Sequence, residues 1–399
     1  MRQCTQLVRR YLDLIRTPGV APLLVAGALA RLPYGMYVLA LVLLLRAEGF
    51  SFAEVGVVGG ASGAAVGLTA PLLGRAVDRL GQTRVLVASA CVTLAADSAL
   101  VLAALSGAGL EVLTPLAVLG GATTPPVSPA MRALWPELVG RERLDTAFAY
   151  DALQLELFFV AGPLLVVAIA AATSPAAAFL TAALMHAIGA VAFAAAPASR
   201  GWRPAAREGR KLAGALSSPG MRVLVVALAV AGVSVGALEI GIPAFAEREA
   251  SRADAGWLFA LWAAGSLAGG LWYGARTWRL PAARRFLLVS GGLAAGMAPL
   301  PFAGSLPMFA VLVLVAGLGL APATAAAYSL IGELAPEGSV TESYAWQVVG
   351  YVFGGACGAW LAGIFVDELG VVAALGLGPV AAAGTVLVAL AGRKSLSAA

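Results

Sequence analysis

Charge is what this sequence has least of. Asp, Glu, Lys and Arg make up 12% of its 399 residues, and hydrophobic types 60%, where soluble domains carry about 25% charged residues. So little polar material cannot clothe a water-soluble core, which leaves the polytopic α-helical membrane class. Cysteine is scarce as well: Cys4, Cys91 and Cys357 are scattered and odd in number, with no C-x-x-C or Cys/His cluster. That removes a disulfide framework and a zinc site, and neither metal nor cofactor is expected. The one histidine, His186, lies in an apolar run and reads as a packed or cavity-edge side chain. Lys211 and Lys394 are the only lysines among abundant Ala, Gly and Arg, a usage that suggests a GC-rich bacterial genome. No Walker loop, G-x-S-x-G, H-E-x-x-H or DNA-binding signature appears, so ATP-driven transport, an enzyme and a nucleic-acid partner have no support.

What the chain has in plenty is long apolar runs. A spanning helix needs about 20 apolar residues, and twelve such cores can be marked. They lie near residues 20–45, 53–73, 85–105, 112–133, 148–169 and 176–195, then 223–246, 255–275, 286–302, 308–331, 343–366 and 371–390. The basic stretch from Arg2 to Arg16 runs into a segment too long for a cleavable signal, so that segment is expected to start insertion itself.

Charge placement tests this map independently, because cytoplasmic loops hold the Lys and Arg excess. With the N-terminus inside, all but Arg31, Arg46, Arg248 and Arg252 of the 26 basic residues fall on inside segments. A wrong helix count would invert every loop after the error. The expectation is a multi-pass protein of the bacterial inner membrane with both termini cytoplasmic, a monomer in contact with lipid.

The chain also repeats itself. Thr17-Pro18-Gly19 opens the first helix and Ser218-Pro219-Gly220 the seventh; Glu137-Leu138 and Glu333-Leu334 precede similar aromatic stretches at the same spacing, and the same offset places Gly162 over Gly358. The expected organisation is a six-helix bundle at 1–199, a basic cytoplasmic linker at 200–222 and a second six-helix bundle at 223–399, related by a pseudo-two-fold axis.

Between the second and third runs lies a short charged turn containing Gly74, Arg75, Asp78, Arg79, Gly81 and Arg84. Asp78 is read as sitting just past the second helix. The eleventh helix opens on the same side with Ser339-Val340-Thr341-Glu342, a capping-box pattern. A helix N-terminus favours a docked carboxylate, so Asp78 can latch the two halves, with Arg132 as a second partner. The pattern G-x-x-x-D-R-x-G-x-x-R resembles the signature loop of the major facilitator superfamily of transporters, whose aspartate takes part in such a latch. Gln82 and Thr83 replace positions that are often basic, and the second half keeps Gly274 and Arg276 without an aspartate. The resemblance implies an all-α fold of twelve spans in two bundles and alternating-access transport of a small molecule.

Several side chains are expected to carry chemistry. Arg31 lies about 12 residues, or roughly 18 Å, into the first helix. Asp97, Glu156 and Glu239 lie within the third, fifth and seventh. A charge at mid-membrane costs at least about 2.5–3.5 kcal/mol and faces a cavity or a partner. Arg31 therefore needs a carboxylate, with Glu156 or Asp97 available, and Glu156 is the expected proton carrier. Gly27 and Gly35 flank Arg31 as a face for close helix approach. The stretch Thr123-Thr124-Pro125-Pro126 breaks the fourth helix and suggests that it lines the central cavity; Ala321-Pro322 is its counterpart in the tenth. The cavity set is Tyr34, Tyr37, Thr124, Pro125, Pro126, Phe158, Tyr328 and Trp346, with Trp262 and Tyr351 as further aromatics. Gly162-Pro163 resembles a fragment of a motif of proton-driven exporters in that superfamily. The leading reading is proton-coupled export, by antiport, of small apolar or amphipathic compounds. Alternatives are a proton-coupled uptake symporter, a sugar or metabolite exporter and, outside transport, a membrane receptor or embedded enzyme.

Overall fold

The structure is a computed structural model that describes residues 17, 19–139, 144–202, 214–274, 278–336 and 340–396. The side chains of Asp78, Glu156, Thr341 and Glu342 lie outside the described residues, as do Ser339 and the 203–213 part of the expected linker. Twelve helical segments follow one another. They are α1 (Val20–Arg31 and Tyr37–Ala47), α2 (Phe52–Leu80), α3 (Gln82–Leu105), α4 (Leu110–Ala122 and Val127–Val139), α5 (Leu144–Ala172) and α6 (Pro175–Ala195). The second half holds α7 (Pro219–Glu249), α8 (Asp254–Gly274), α9 (Ala282–Met297), α10 (Leu306–Gly317 and Leu320–Leu334), α11 (Val340–Leu369) and α12 (Val371–Ala391). Among the described residues nine helical stretches, α10 across its break included, are long and apolar enough to span a bilayer, and α1 is a tenth, bent by 47° around a 3-10 turn at Leu32–Gly35. The other two are α4, which lies in two shorter pieces, and α5, whose described apolar stretch is the shorter Leu157–Ala172.

Capping and glycine set the turns. Ser51 and Glu54 form a reciprocal capping box at the start of α2, and Ser174 and Ser218 cap α6 and α7. The described positive-φ residues are all glycines at helix boundaries, Gly49, Gly81, Gly107 and Gly370 among them. The charged loop differs from expectation in one respect. Hydropathy stops at Leu73, yet α2 runs on to Leu80, so Asp78 lies inside the helix and the turn is Gly81 alone, at φ 86°. An apolar run measures lipid exposure; the helical hydrogen-bond ladder continues into the interface.

Small residues decide which helices touch. A methyl group added at Gly354 or Gly358 of α11 would overlap the carbonyl of Ala229 or Val233 of α7. One added at Gly162 of α5 would overlap the backbone of Gly35 on α1. Gly162 and Gly358 thus do the same job in the two halves, α5 on α1 and α11 on α7.

The cores show how the halves meet. One apolar cluster takes Leu39 and Phe52 from the first half together with Phe245, Phe309 and Ala362 from the second. This is the end that holds Arg46, Glu247 and Asp367. Toward the other end, where the helix-joining segments carry most of the arginines, the core divides. One cluster around Trp135 and Phe193 belongs wholly to the first half, and one around Phe286 and Leu334 wholly to the second. The halves are sealed together at one end and separate at the other, here called the basic end.

Candidate functional site: a cavity between the halves

Where the shared apolar cluster meets the core of the second half lies a cavity of about 670 Å³, walled by residues of both halves. The first half gives it an apolar wall, with Tyr34 and Val38 on α1 and Phe159 and Pro163 on α5. The second half gives nearly all its polarity: Glu239 on α7, Trp262 and Ser266 on α8, Ser290 on α9, Thr324 and Tyr328 on α10, Gln347 and Tyr351 on α11 and Thr385 on α12. Glu239 is the one charged side chain among the lining residues, and no ion pair or hydrogen bond is recorded for it among the described residues. The indole Nε1 of Trp262 and the amide Oε1 of Gln347 are buried and have no partner among the described residues.

Of the residues expected to line this space, Tyr34 and Tyr328 do so, with Trp262, Tyr351 and Pro163. Tyr37, Thr124, Pro125, Pro126, Phe158 and Trp346 are not among the lining residues. On α5 and α11 the neighbours Phe159 and Gln347 take the place of Phe158 and Trp346, because one step along a helix turns a side chain by about 100°. The break in α4 is satisfied internally: Thr93 donates to Gly120 O at 3.4 Å and shares a 2.9 Å bond with Thr123, and Thr124 donates to Gly120 O at 3.2 Å. The matching break in α10, at Leu318-Gly319 ahead of Ala321-Pro322, does lie at the cavity, through Leu320, Ala321 and Thr324.

Arg31 is fully buried, away from the cavity lining. The anion found on it is Asp151, seven residues past the start of α5, not Asp97 as the sequence allowed. Gln154 also accepts from its guanidinium, and Gly27 O accepts from Nε at 3.0 Å. Asp151 is shared with Arg132, 3.1 Å away on the second half of α4 and half exposed. This knot ties α1, α4 and α5 into one body. Asp97 instead accepts from the Tyr37 hydroxyl at 2.9 Å and lies over Gly120. Asp151 escaped the sequence reading because it sits at the polar start of α5, where a carboxylate attracts no notice; helix length brings it level with Arg31. His186 is buried beside Tyr34 and Tyr37, its Nδ1 on Ala30 O.

The charged turn is anchored by the two residues that depart from the family pattern. Gln82 donates to Ala130 O at 3.1 Å and accepts from Ser199 at 2.9 Å, and Thr83 donates to Ala194 O at 3.1 Å. Arg75, Arg79 and Arg84 are exposed, and Gly74 has open space around it.

At the sealed end polar contacts cross between the halves at two places. Arg46 of α1 pairs with Glu247 of α7 at 2.8 Å, and Arg252 reaches both Glu247 and Arg46 O. Asp367, near the end of α11, accepts from the backbone N–H groups of Phe52 and Ala53 at the start of α2, at 3.2 and 2.6 Å.

Twelve helices in two like halves, sealed together at one end and sharing a cavity walled by both, define a membrane transporter fold. The Major Facilitator Superfamily profile matches residues 23–250 and again 224–397, and the chain belongs to that superfamily. Its two overlapping matches restate the internal repeat. Among solved structures it is similar to the nucleoside transporter NupG in a D323A mutant (TM-score 0.78, 13% identity, 94% of this chain and 99% of that one). It is also similar to a bacterial homologue of the iron transporter ferroportin in an inward-facing state (0.70, 16%, 94% and 98%) and to the peptide transporter POT in complex with sulfate (0.71, 17%, 95% and 95%). At these identities the likeness is one of fold. No curated protein matches the chain in sequence.

Proposed function

We propose that this protein is a proton-coupled exporter of small, mostly apolar or amphipathic compounds in the bacterial inner membrane. In this reading it acts as a monomer, with 1–199 and 223–399 as the moving bundles. The observation that carries the reading is the cavity: about 670 Å³, walled by both halves, with one carboxylate among otherwise uncharged described lining residues. Its volume suits a drug-sized molecule. The basic end is cytoplasmic by the positive-inside rule, so the cavity faces the cytoplasm and the Arg46–Glu247 and Asp367 contacts form the shut outer gate. A cavity open inward with the outer gate closed is the loading state of an exporter.

Glu239 is the proton-exchanging group in this reading. Sequence depth points to Glu156, whose side chain lies outside the described residues; Glu239 is the carboxylate among the described lining residues, and Asp151 is already neutralised by two arginines. Among the described lining residues the other titratable groups are Tyr34 of α1, Tyr328 of α10 and Tyr351 of α11, with no basic residue. A carboxylate without a counter-cation in so apolar a space is costly. It therefore binds either a proton or a substrate, which couples the two. Opening outward requires the outer contacts to part and the basic ends to close, and the latch proposed for that state joins Asp78 of α2 to the start of α11.

The test is flux in proteoliposomes under an imposed pH gradient, against a panel of lipophilic cations, neutral drugs and sugars. Gradient-driven movement of amphipathic compounds supports export by antiport. Sugar movement alone, or movement indifferent to the gradient, contradicts it.

A further inference from the structure

The outer side of α2 holds a second concavity, of about 430 Å³, lined by Leu72, Arg75, Ala76, Arg79 and Leu80. With about 3.6 residues per turn, these positions fall on one stripe of the helix, and Leu68 extends it by a turn. The stripe is not spent on packing between the halves. The contact of α2 with α11 uses another face, at Gly56, Gly60 and Gly67. No residue of α2 is among those lining the central cavity. Leu68 and Leu72 are each 59% exposed, and on a spanning helix such leucines lie against lipid.

Depth places the charged end of the stripe. Ser51 caps α2 at the sealed end. At roughly 1.5 Å per residue Arg75 lies about 36 Å beyond it and Arg79 about 42 Å. The hydrocarbon core is about 30 Å thick, and about 40–45 Å with its headgroups. Both arginines therefore stand at the level of the lipid phosphates, with Leu72 and Leu68 behind them among the acyl chains. No ion pair or hydrogen bond joins either arginine to another described residue. Side chains four apart on a helix are about 5–6 Å apart at their Cβ atoms. Two guanidinium forks at that spacing suit one phosphate group.

From this we infer that the concavity is a binding site for an anionic phospholipid of the leaflet at the basic end. Arg75 and Arg79 hold its phosphate, and an acyl chain lies along Leu72 and Leu68. A zwitterionic lipid is held less well, because its own cationic group meets the same two arginines. A soluble phosphate lacks the chain that the leucines receive. The site lies outside the central cavity, so it stands whatever the carrier moves and in whichever direction.

The test uses the purified full-length protein, stripped of lipid in detergent. It is titrated with phosphatidylglycerol, with phosphatidylcholine of the same acyl chains, and with glycerophosphate, which carries the phosphate without chains. Native mass spectrometry counts bound lipid, and thermal stabilisation reports occupancy. Phosphatidylglycerol is expected to bind about tenfold tighter than phosphatidylcholine, two arginines each adding to the attraction. Glycerophosphate is expected to leave the protein unchanged. Arg75→Gln/Arg79→Gln is expected to erase the preference between the two lipids. Arg279→Gln/Arg284→Gln removes two exposed arginines from the basic end of the second half and is expected to keep that preference. Equal binding of the two lipids, or a preference that survives Arg75→Gln/Arg79→Gln, would overturn the site. So would an equal loss in Arg279→Gln/Arg284→Gln, which would show a diffuse attraction to the basic end. Binding of glycerophosphate as tight as that of phosphatidylglycerol would assign the arginines to a soluble anion and overturn the lipid. If the double variant fails to fold, Arg75→Gln and Arg79→Gln taken singly decide, each expected to lower the preference about threefold; no change in either would overturn the site.

Discussion

Asp367, two residues before the end of α11, grips the first turn of α2 through the N–H groups of Phe52 and Ala53. Asp78 holds the same place in α2, two residues before its end at Leu80. The helices α2 and α11 run antiparallel and pack across the interface through Gly56 against Ala359 and Gly60 against Ala356, so the end of each helix that carries its aspartate lies toward the start of the other. The helix macrodipole favours a carboxylate at either position. In the present state the Asp367 latch is made.

Removing that latch is expected to open the sealed end. A hydrogen bond to a charged group contributes about 1.5–3 kcal/mol, so Asp367→Ala is expected to shift the balance toward the outward-open form by roughly tenfold or more. Spin labels or cross-linkable thiols placed on α2 and α11 near that end read the distance. An unchanged distance distribution would show that helix packing alone closes the gate.

Asp78→Asn is expected to act in the opposite sense. It weakens the outward-open form, leaves insertion in the membrane intact and lowers flux several-fold. Near-normal flux at equal expression would restrict the Gly74–Arg84 segment to a topological role.

The Arg31–Asp151–Arg132 knot is expected to serve stability first. Breaking a buried pair by removing one partner costs about 3–5 kcal/mol, so Asp151→Asn or Arg31→Met lowers the melting temperature in detergent markedly. Arg132→Met, whose side chain is half exposed, lowers it far less. Equal effects at Arg31 and Arg132 would contradict a buried anchor centred on Arg31.

Topology follows from charge. A thiol introduced at position 207 is expected to resist labelling from outside intact cells and to react after permeabilisation. External labelling would invert the assignment of the basic end and with it the proposed direction of export.

The fold was legible because lipid imposes it. Long apolar runs, arginine-rich joints and the Gly162/Gly358 repeat are each local in the sequence and demand a bundle of paired helices. The site was legible only in part. Tyr34, Tyr328 and Glu239 could be named from depth and type. Gln347 and Phe159 could not be told from Trp346 and Phe158, since a neighbouring position on a helix faces elsewhere and only the packing of all twelve fixes the rotation. Asp151 was missed as the anion for Arg31, and the break in α4 was misread as cavity lining, for one shared reason. Polar groups in a membrane can satisfy one another inside a half, as Thr93, Thr123 and Gly120 do, and sequence position does not say which polar group is spent in this way and which is left to a ligand.

The most direct measurement compares Glu239→Gln with the unaltered protein in proteoliposomes loaded with a fluorescent amine. Downhill exchange is followed without a pH gradient and uphill accumulation with one. The expected result is that Glu239→Gln loses gradient-driven accumulation and keeps downhill exchange, because the carrier still alternates but no longer exchanges a proton. Full gradient-driven accumulation in Glu239→Gln would contradict Glu239 as the coupling group of the cavity.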